Sequence, residues 1–349
     1  MKREKKKMAT LYDVAKVAGV SPKTVSRVFN ESHLVAKETR SRVLEVIQKL
    51  DYHPNALAAS LKKRFSQVVG FVVPYGSDFV FRDLNMMEQL RGVHDVLAEE
   101  GYNVVVSAPL SKKDALHEAM RLLKRRLVEG IILYPSSGIG GIISECTHKG
   151  LPYATLGVGF AGQEHNFVEV DMTESSYLAT KYFLDAGHRY VALITRPRGF
   201  FNYPENDSYL RGYEMALSEL GKEVSSELVR EGDFTFDSGY REFRYVKQKY
   251  REVTAFLCAS DPMAYGALRA MADLKLQWIK DAEIIAGDGL PFTQKIFPFL
   301  SSIANPSYEQ GRQAGKMIMA LLEGKREMPG VTLKAEFVLR KGYPARLSF

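Results

Sequence analysis

The stretch TLYDVAKVAGVSPKTVSRVFN, residues 10–30, decides how the first part of the chain folds. Leu11, Val14, Ala15 and Ala18 recur at helical spacing and make one apolar face. Gly19 ends that helix where a tight turn needs a residue free of Cβ strain. Ser21 offers an N-cap oxygen, and Pro22 suits the first position of a new helix, where an N–H would go unpaired anyway. A second short helix is expected to turn Val25, Val28 and Phe29 inward. Helix, glycine turn and helix within about twenty residues make the helix-turn-helix motif. A third helix beginning near Lys37, with Val43, Val46, Ile47 and Leu50 at helical spacing, closes a three-helix core.

Charge is concentrated in the same region. Residues 1–67 hold 15 Lys and Arg against 6 Asp and Glu, whereas the remainder holds 33 against 35. The net charge of +7 therefore comes entirely from the first fifth of the chain. A basic module on a near-neutral body is the electrostatic footprint of a nucleic-acid binder. A solvated tail would account for Lys2 to Lys7, but not for charge interleaved with helical periodicity over 10–61. In a helix-turn-helix the second helix enters the major groove with its N-terminal residues toward the base edges. Here those are Pro22, Lys23 and Arg27, with Thr24 and Ser26 placed for phosphate or base contacts. Lys and Arg suit the guanine acceptors O6 and N7. Singly, each hydroxyl could be a cap and Arg27 a solvated charge; together on one exposed face they point to DNA.

Residues 10–30 and the run VAKETRSRVLEVIQKLDYHPNALAASL, 35–61, resemble the lactose/galactose repressor (LacI/GalR) family. The resemblance joins the helix-turn-helix to a Tyr-x-Pro-Asn-x-x-Ala-x-x-Leu segment, here Tyr52, Pro54, Asn55, Ala58 and Leu61. It implies a hinge that becomes helical on operator DNA, with Leu61 wedged into the minor groove. Such an apolar wedge unstacks a base step and kinks the duplex. A linker leucine packed on the next domain is the plainer alternative, and the flanking Ala59, Lys62, Lys63 and Arg64 favour DNA. The resemblance also implies phosphate contacts from Tyr12, Ser21, Asn30 and Thr39.

Beyond Gln67, short apolar runs alternate with longer amphipathic stretches. Strands are expected at VVGFVV (68–73), NVVVS (103–107), GIILY (130–134), YVALIT (190–195), TAFLCAS (254–260) and AEIIAGD (282–288). Helices are expected over 83–100, 173–186 and 306–323. Repeated β-then-α units imply parallel sheets covered by helices on both faces. About 280 residues accommodate two such lobes, with crossings near Val170–Asp171 and Ala304–Asn305. The division expected is headpiece 1–51, hinge 52–67 and effector-binding, dimerising body 68–349.

The resemblance continues to about residue 340, through GHRYVALI (187–194), LRGYEMAL (210–217), EGDFTFDSGY (231–240), ASDPMAYGAL (259–268) and GDGLPFT (287–293). It implies a periplasmic-binding-protein-like domain that holds a small molecule between its lobes. Open α/β sheets bind ligands at the carboxyl ends of their strands. By matching position the effector site is assigned to Phe79, Phe81, Phe234, Ser260, Asp261, Asp288 and Tyr209. Core packing is the alternative for the phenylalanines, and capping the helix that starts at Pro262 is the alternative for Asp261. Two positions depart from the family pattern. Tyr209 stands where an arginine is common, and Gly157 where sugar-responsive members often carry an acid. The usual ligand therefore does not carry over, although Arg196 or Arg198 offers a substitute cation. A sugar or sugar derivative is the default effector; a corepressor-type regulator responding to a non-sugar metabolite is the alternative.

Rival classes fit less well. No P-loop, HExxH, Cys-rich metal spacing or GxSxG is present, so neither an enzyme nor a cofactor is expected. A transport solute-binding protein would need a secretory signal, and no apolar run follows the basic start. No stretch approaches the roughly 20 apolar residues that span a bilayer. Cys146 and Cys258, far apart in sequence, suggest buried thiols rather than disulfides. The expected protein is cytoplasmic, binds pseudo-palindromic double-stranded operator DNA, and is a homodimer because one headpiece reads one half-site. No leucine heptad of the kind that joins dimers into tetramers follows the last family-like strand.

Overall fold

A computed structural model describes residues 9–30, 34–52, 66–75, 82–110, 112–136, 139–158, 162–197 and 207–340. Asn55, Ala58, Leu61, Phe79, Phe81 and Arg198 lie outside the described residues, as does the side chain of Asn30. The chain divides into two compact units, 1–66 and 67–349.

The first unit contains α1 (Leu11–Ala18), α2 (Pro22–Asn30) and α3 (Lys37–Lys49). A reciprocal capping box opens α1. Asp13 N donates to Thr10 Oγ1 at 3.3 Å, and Thr10 N donates to Asp13 Oδ2 at 2.8 Å. Gly19 closes α1 at φ 65°, a left-handed conformation that glycine adopts without Cβ strain. Val14, Ala15, Ala18, Val25, Val28 and Val43 form the core. Tyr52, the first residue of the segment matched to a hinge, is buried in that same core.

The second unit has two lobes. Lobe 1 is a six-stranded parallel sheet in the order β11-β5-β4-β3-β1-β2. Its strands are β1 (Val68–Val72), β2 (Asn103–Ser107), β3 (Gly130–Leu133), β4 (Tyr153–Leu156), β5 (Phe167–Asp171) and β11 (Val331–Lys334). Lobe 2 is a four-stranded parallel sheet in the order β7-β6-β8-β9. It comprises β6 (Val191–Thr195), β7 (Val229–Glu231), β8 (Ala255–Cys258) and β9 (Glu283–Ile285). A short antiparallel pair, β10 (Ser302–Ala304) and β12 (Glu336–Val338), lies against the core of lobe 2 through Ile303 and Phe337. The central strands β3, β4, β6 and β8 are buried along their whole length, as parallel strands covered on both faces must be. Edge strand β2 instead leaves Val105 and Val106 exposed.

The chain passes between the lobes three times. β5 ends lobe 1 before the helix Thr173–Asp185 enters lobe 2. After β10 the chain returns, and the helix Ser307–Leu322 packs Ala314, Met317, Ile318 and Leu321 into the core of lobe 1. Between β11 and β12, only Ala335 separates a lobe 1 strand from one at lobe 2. This third passage was not read from the sequence: the last family-like strand matches β12, but β11 is too short to stand out. Cys146 and Cys258 are buried free thiols, and burial pushes Cys146 up to about 12.

Candidate functional site

Two surfaces gather the residues of interest, one on each unit. On the first unit, α2 divides cleanly. Val25 and Val28 are buried, while Lys23 and Arg27, one helical turn apart, are exposed on one flank. Pro22, Thr24 and Ser26 are half-buried beside them. Ser21 Oγ accepts from Thr24 N at 3.1 Å and lies 2.9 Å from Thr24 Oγ1, so these two hydroxyls cap the helix that carries the cations. Thr39 is half-buried in the first turn of α3. Tyr12 is 73% exposed, a large aromatic on the surface rather than in the core.

The second surface is a cleft between the lobes. Lobe 1 lines it with Asp83, Asn85, Gln89, Tyr134 and Glu169, and lobe 2 with Arg196, Tyr209, Phe234, Ser260 and Asp288. Asn305 and Gln310, around the second passage, complete it. Asp83 caps the helix Leu84–Glu99 by accepting from Met86 N at 3.0 Å, and Tyr134 Oη donates to it at 3.1 Å. Phe234, held at φ 64°, belongs to lobe 2 but packs against the apolar cluster of lobe 1. It therefore joins the two walls.

Among the matched effector positions, Tyr209, Phe234, Ser260 and Asp288 border the cleft and Asp261 does not. The Asp261 carboxylate, fully buried, accepts from the backbone N–H groups of Asp288 (2.9 Å), Gly289 (3.1 Å) and Leu290 (2.9 Å), and from the Thr293 hydroxyl. Its acceptors are turned to its own lobe, so it shapes the loop rather than meeting a ligand. Ser260, not Asp261, supplies the cap of the helix Asp261–Asp273, accepting from Met263 N at 3.4 Å. Asp288 Oδ2 accepts from Asp261 N at 2.9 Å. Burial and the neighbouring Asp261 charge push Asp288 well above the ordinary carboxylate range.

Both departures from the family pattern have local causes. Tyr209 is buried, and its hydroxyl donates to the Gly287 carbonyl, which ties the helix Ser208–Glu219 to the loop after β9. Gly157 sits at φ 94°, a region where an acidic side chain is strained. The cation comes instead from Arg196, whose guanidinium lies 5.4 Å from the Tyr209 ring centre and donates to Asp207 at 3.0 Å. Burial raises Asp207, but Arg196 and the Thr195 hydroxyl more than offset it and hold the carboxyl below its usual range. Arg196 is the one Lys or Arg among the described residues lining the cleft.

Sequence reading missed Gln89, Gln310, Asn305, Glu169 and Tyr134. A signal existed for the glutamines: Gln89 interrupts the buried stripe Met86, Val93, Val96, and Gln310 precedes the buried stripe Gly311, Ala314, Met317. A polar residue on a core-facing stripe must find partners, or a ligand, inside. Among the described residues no cluster of His, Cys, Asp and Glu could hold a metal, and no helix is long and apolar enough to cross a membrane.

Comparison with known proteins matches both units of the chain to known families. Residues 10–55 match the family model "Bacterial regulatory proteins, lacI family", and residues 180–342 match the periplasmic binding protein-like domain. The chain is 30% identical over 339 residues to the HTH-type transcriptional regulator RegA of Clostridium saccharobutylicum, covering 96% of this chain and 99% of that protein. It is 27% identical over 339 residues to the HTH-type transcriptional repressor PurR of Histophilus somni, covering 96% and 98%. Similar solved structures include the lac repressor dimer bound to operator and the anti-inducer ONPF, with TM-score 0.82, 25% identity and coverage of 96% and 99%. The transcriptional regulator CelR–cellobiose complex has TM-score 0.71, 27% identity and coverage of 95% and 99%.

Proposed function

Because this chain belongs to the lacI family of bacterial regulatory proteins, it is a DNA-binding transcription regulator and not an enzyme, and we propose that a small molecule in the inter-lobe cleft sets its affinity for operator DNA. The observation that carries this reading is the pairing of an exposed cationic flank on α2 with a two-walled cleft lined by polar side chains. The protein acts as a repressor. Lys23 and Arg27 read base edges, Pro22, Thr24 and Ser26 fit against the groove, and Tyr12, Ser21, Asn30 and Thr39 hold phosphates. Asn55, Ala58 and Leu61 form the hinge, with Leu61 as the minor-groove wedge. The cleft residues Tyr209, Phe234, Ser260 and Asp288 meet the effector together with Phe79 and Phe81, and Asp261 positions Asp288. The default effector is a sugar or sugar derivative, in keeping with the cellobiose bound by CelR.

Two copies act together, since one headpiece covers one half-site and operator symmetry mirrors a two-fold protein. Exposed apolar side chains on the body, Val105 and Val106 on the edge strand β2 and Phe292 and Ile296 on the helix Pro291–Ile296, supply surface for the dimer. Effector binding then shifts the lobes and with them the spacing of the two hinges. By linkage, a ligand that weakens DNA binding must itself bind the DNA complex more weakly, and a corepressor the reverse. The test is a metabolite screen by thermal shift, followed by titration of each binder against the protein on a duplex that the protein has selected from a random pool. A binder that leaves DNA affinity unchanged speaks against the switch, and failure to enrich any sequence speaks against operator recognition.

A further inference from the structure

We propose that the cleft admits a ligand rich in O–H or N–H donors that carries no negative charge, and rejects phosphorylated or carboxylated small molecules. This rests on the reading of the cleft as the effector site and narrows it to a chemical class.

The first support is a chain of amides whose orientation is fixed by a backbone carbonyl. Val168 O, in β5, accepts from Gly157 N at 2.7 Å and from Gln310 Nε2 at 2.8 Å. A carbonyl can only accept, so Gln310 must turn its NH2 toward β5, leaving its oxygen toward Gln89. Gln89 Nε2 duly donates to Gln310 Oε1 at 2.7 Å. Gln89 Oε1 is then buried with no donor in reach, at a residue only 5% exposed that borders the cleft. The pair Asn85 and Asn305 has no such anchor, because their amides and the Ser307 hydroxyl can exchange donor and acceptor roles. One buried acceptor, Gln89 Oε1, thus awaits a donor, and an unmet buried acceptor is a standing cost that a ligand's donor removes.

Charge points the same way. The described lining holds the carboxyls of Asp83, Glu169 and Asp288 against the single guanidinium of Arg196. Arg196 is already shared with Asp207 at 3.0 Å. A phosphate or carboxylate entering here would bring more negative charge to a described lining in which three carboxyls face one guanidinium, although Arg196 also offers its buried Nε–H as a donor. Burial raises Asp83, Glu169 and Asp288 alike, and an added anion would raise them further. Hydroxyl or ammonium donors answer both the Gln89 amide and the carboxyls. The faces of Tyr134, Tyr209 and Phe234 supply apolar lining for the ligand's C–H surface.

The experiment is a matched panel measured on the full chain by thermal shift and titration calorimetry. It pairs glucose and glucosamine with glucose 6-phosphate and glucuronate, ribose with ribose 5-phosphate, and cellobiose with cellobionate. Binders are expected only among the neutral and amino members, with each anionic partner at least about tenfold weaker. Gln89→Met, which keeps the volume but removes both the free acceptor and the donor to Gln310 Oε1, is expected to lower the melting point of the unliganded protein and to weaken the best binder about tenfold. An anionic member binding as tightly as its neutral partner, a panel with no binder, or Gln89→Met with unchanged affinity overturns the proposal. A neutral binder that leaves DNA affinity untouched would instead sink the regulatory reading and spare the ligand class.

Discussion

Arg27 and Lys23 are exposed on a helix whose other face is sealed by Val25 and Val28. If Arg27 reads a base, Arg27→Ala should lose about 1–3 kcal/mol on the preferred duplex and much less on random DNA. Equal losses on both, by mobility shift at fixed salt, would make it a phosphate contact. In the cleft, the raised Asp288 carboxyl has its own signature. A carboxyl whose folded value lies above its unfolded one stabilises fully below the ordinary range and loses that contribution as pH rises through the raised value. The unliganded protein should therefore melt progressively lower as pH climbs above the ordinary carboxylate range, with Asp83 and Glu169 acting in the same sense. Asp207, held low by Arg196, acts oppositely and only on the acid side of that range. Asp288→Asn should flatten the upper slope in a melting series across pH and leave the acid limb intact. Legibility at this scale was uneven. The basic face of α2 followed from periodicity, because burial and charge alternate within a few residues. Arg196 was legible only as one of two substitute cations, and Glu169 not at all, because its importance comes from what the fold brings opposite it, not from its sequence neighbours.

Elements were the most legible level where apolar runs were long. β1 and the helix Thr173–Asp185 coincide closely with expected segments, since each buries a continuous or evenly spaced apolar set; β2 also matches its expected span, although as an edge strand it buries none of its residues. The short strands β7, β10 and β11 were not anticipated: three or four residues carry too little pattern to separate a strand from a loop. Asp261 shows how a loop can matter more than a strand. Asp261→Ala would leave three backbone N–H groups without their acceptor, while the Thr293 hydroxyl keeps the Tyr265 hydroxyl as a partner. A loss of at least about 2 kcal/mol is expected in denaturant unfolding of the full chain. A smaller loss would mean that water or a shifted loop satisfies those donors. The hinge is tested at the same level. Leu61→Ala should reduce both specific affinity and DNA bending while non-specific binding stays nearly constant. A circular-permutation assay showing an unaltered bend angle would remove the wedge from the mechanism.

For the whole molecule, the two-unit plan followed from the charge asymmetry and the change of period at Gln67, and the family resemblance supplied the two-lobed body. A dimer is the expected state. Light scattering on the full chain at micromolar concentration should give twice the chain mass of 39.3 kDa, and a monomer or a stable tetramer would contradict the half-site argument. The three passages between lobes bear on how the chain is born. Synthesis delivers β1 to β5 first, yet lobe 1 still lacks its edge strand β11 and the helix Ser307–Leu322 that fills its core. Lobe 2 is encoded in between, and all four strands of its parallel sheet are synthesised before that helix. The lobe begun first is therefore finished last. During translation its half-covered sheet would stand exposed, beside a neighbour already able to close. A released chain ending at Asn305 would hold all four strands of the lobe 2 sheet and an unfinished lobe 1. The nascent regulator's vulnerable state is thus set by the order of its strands along the message.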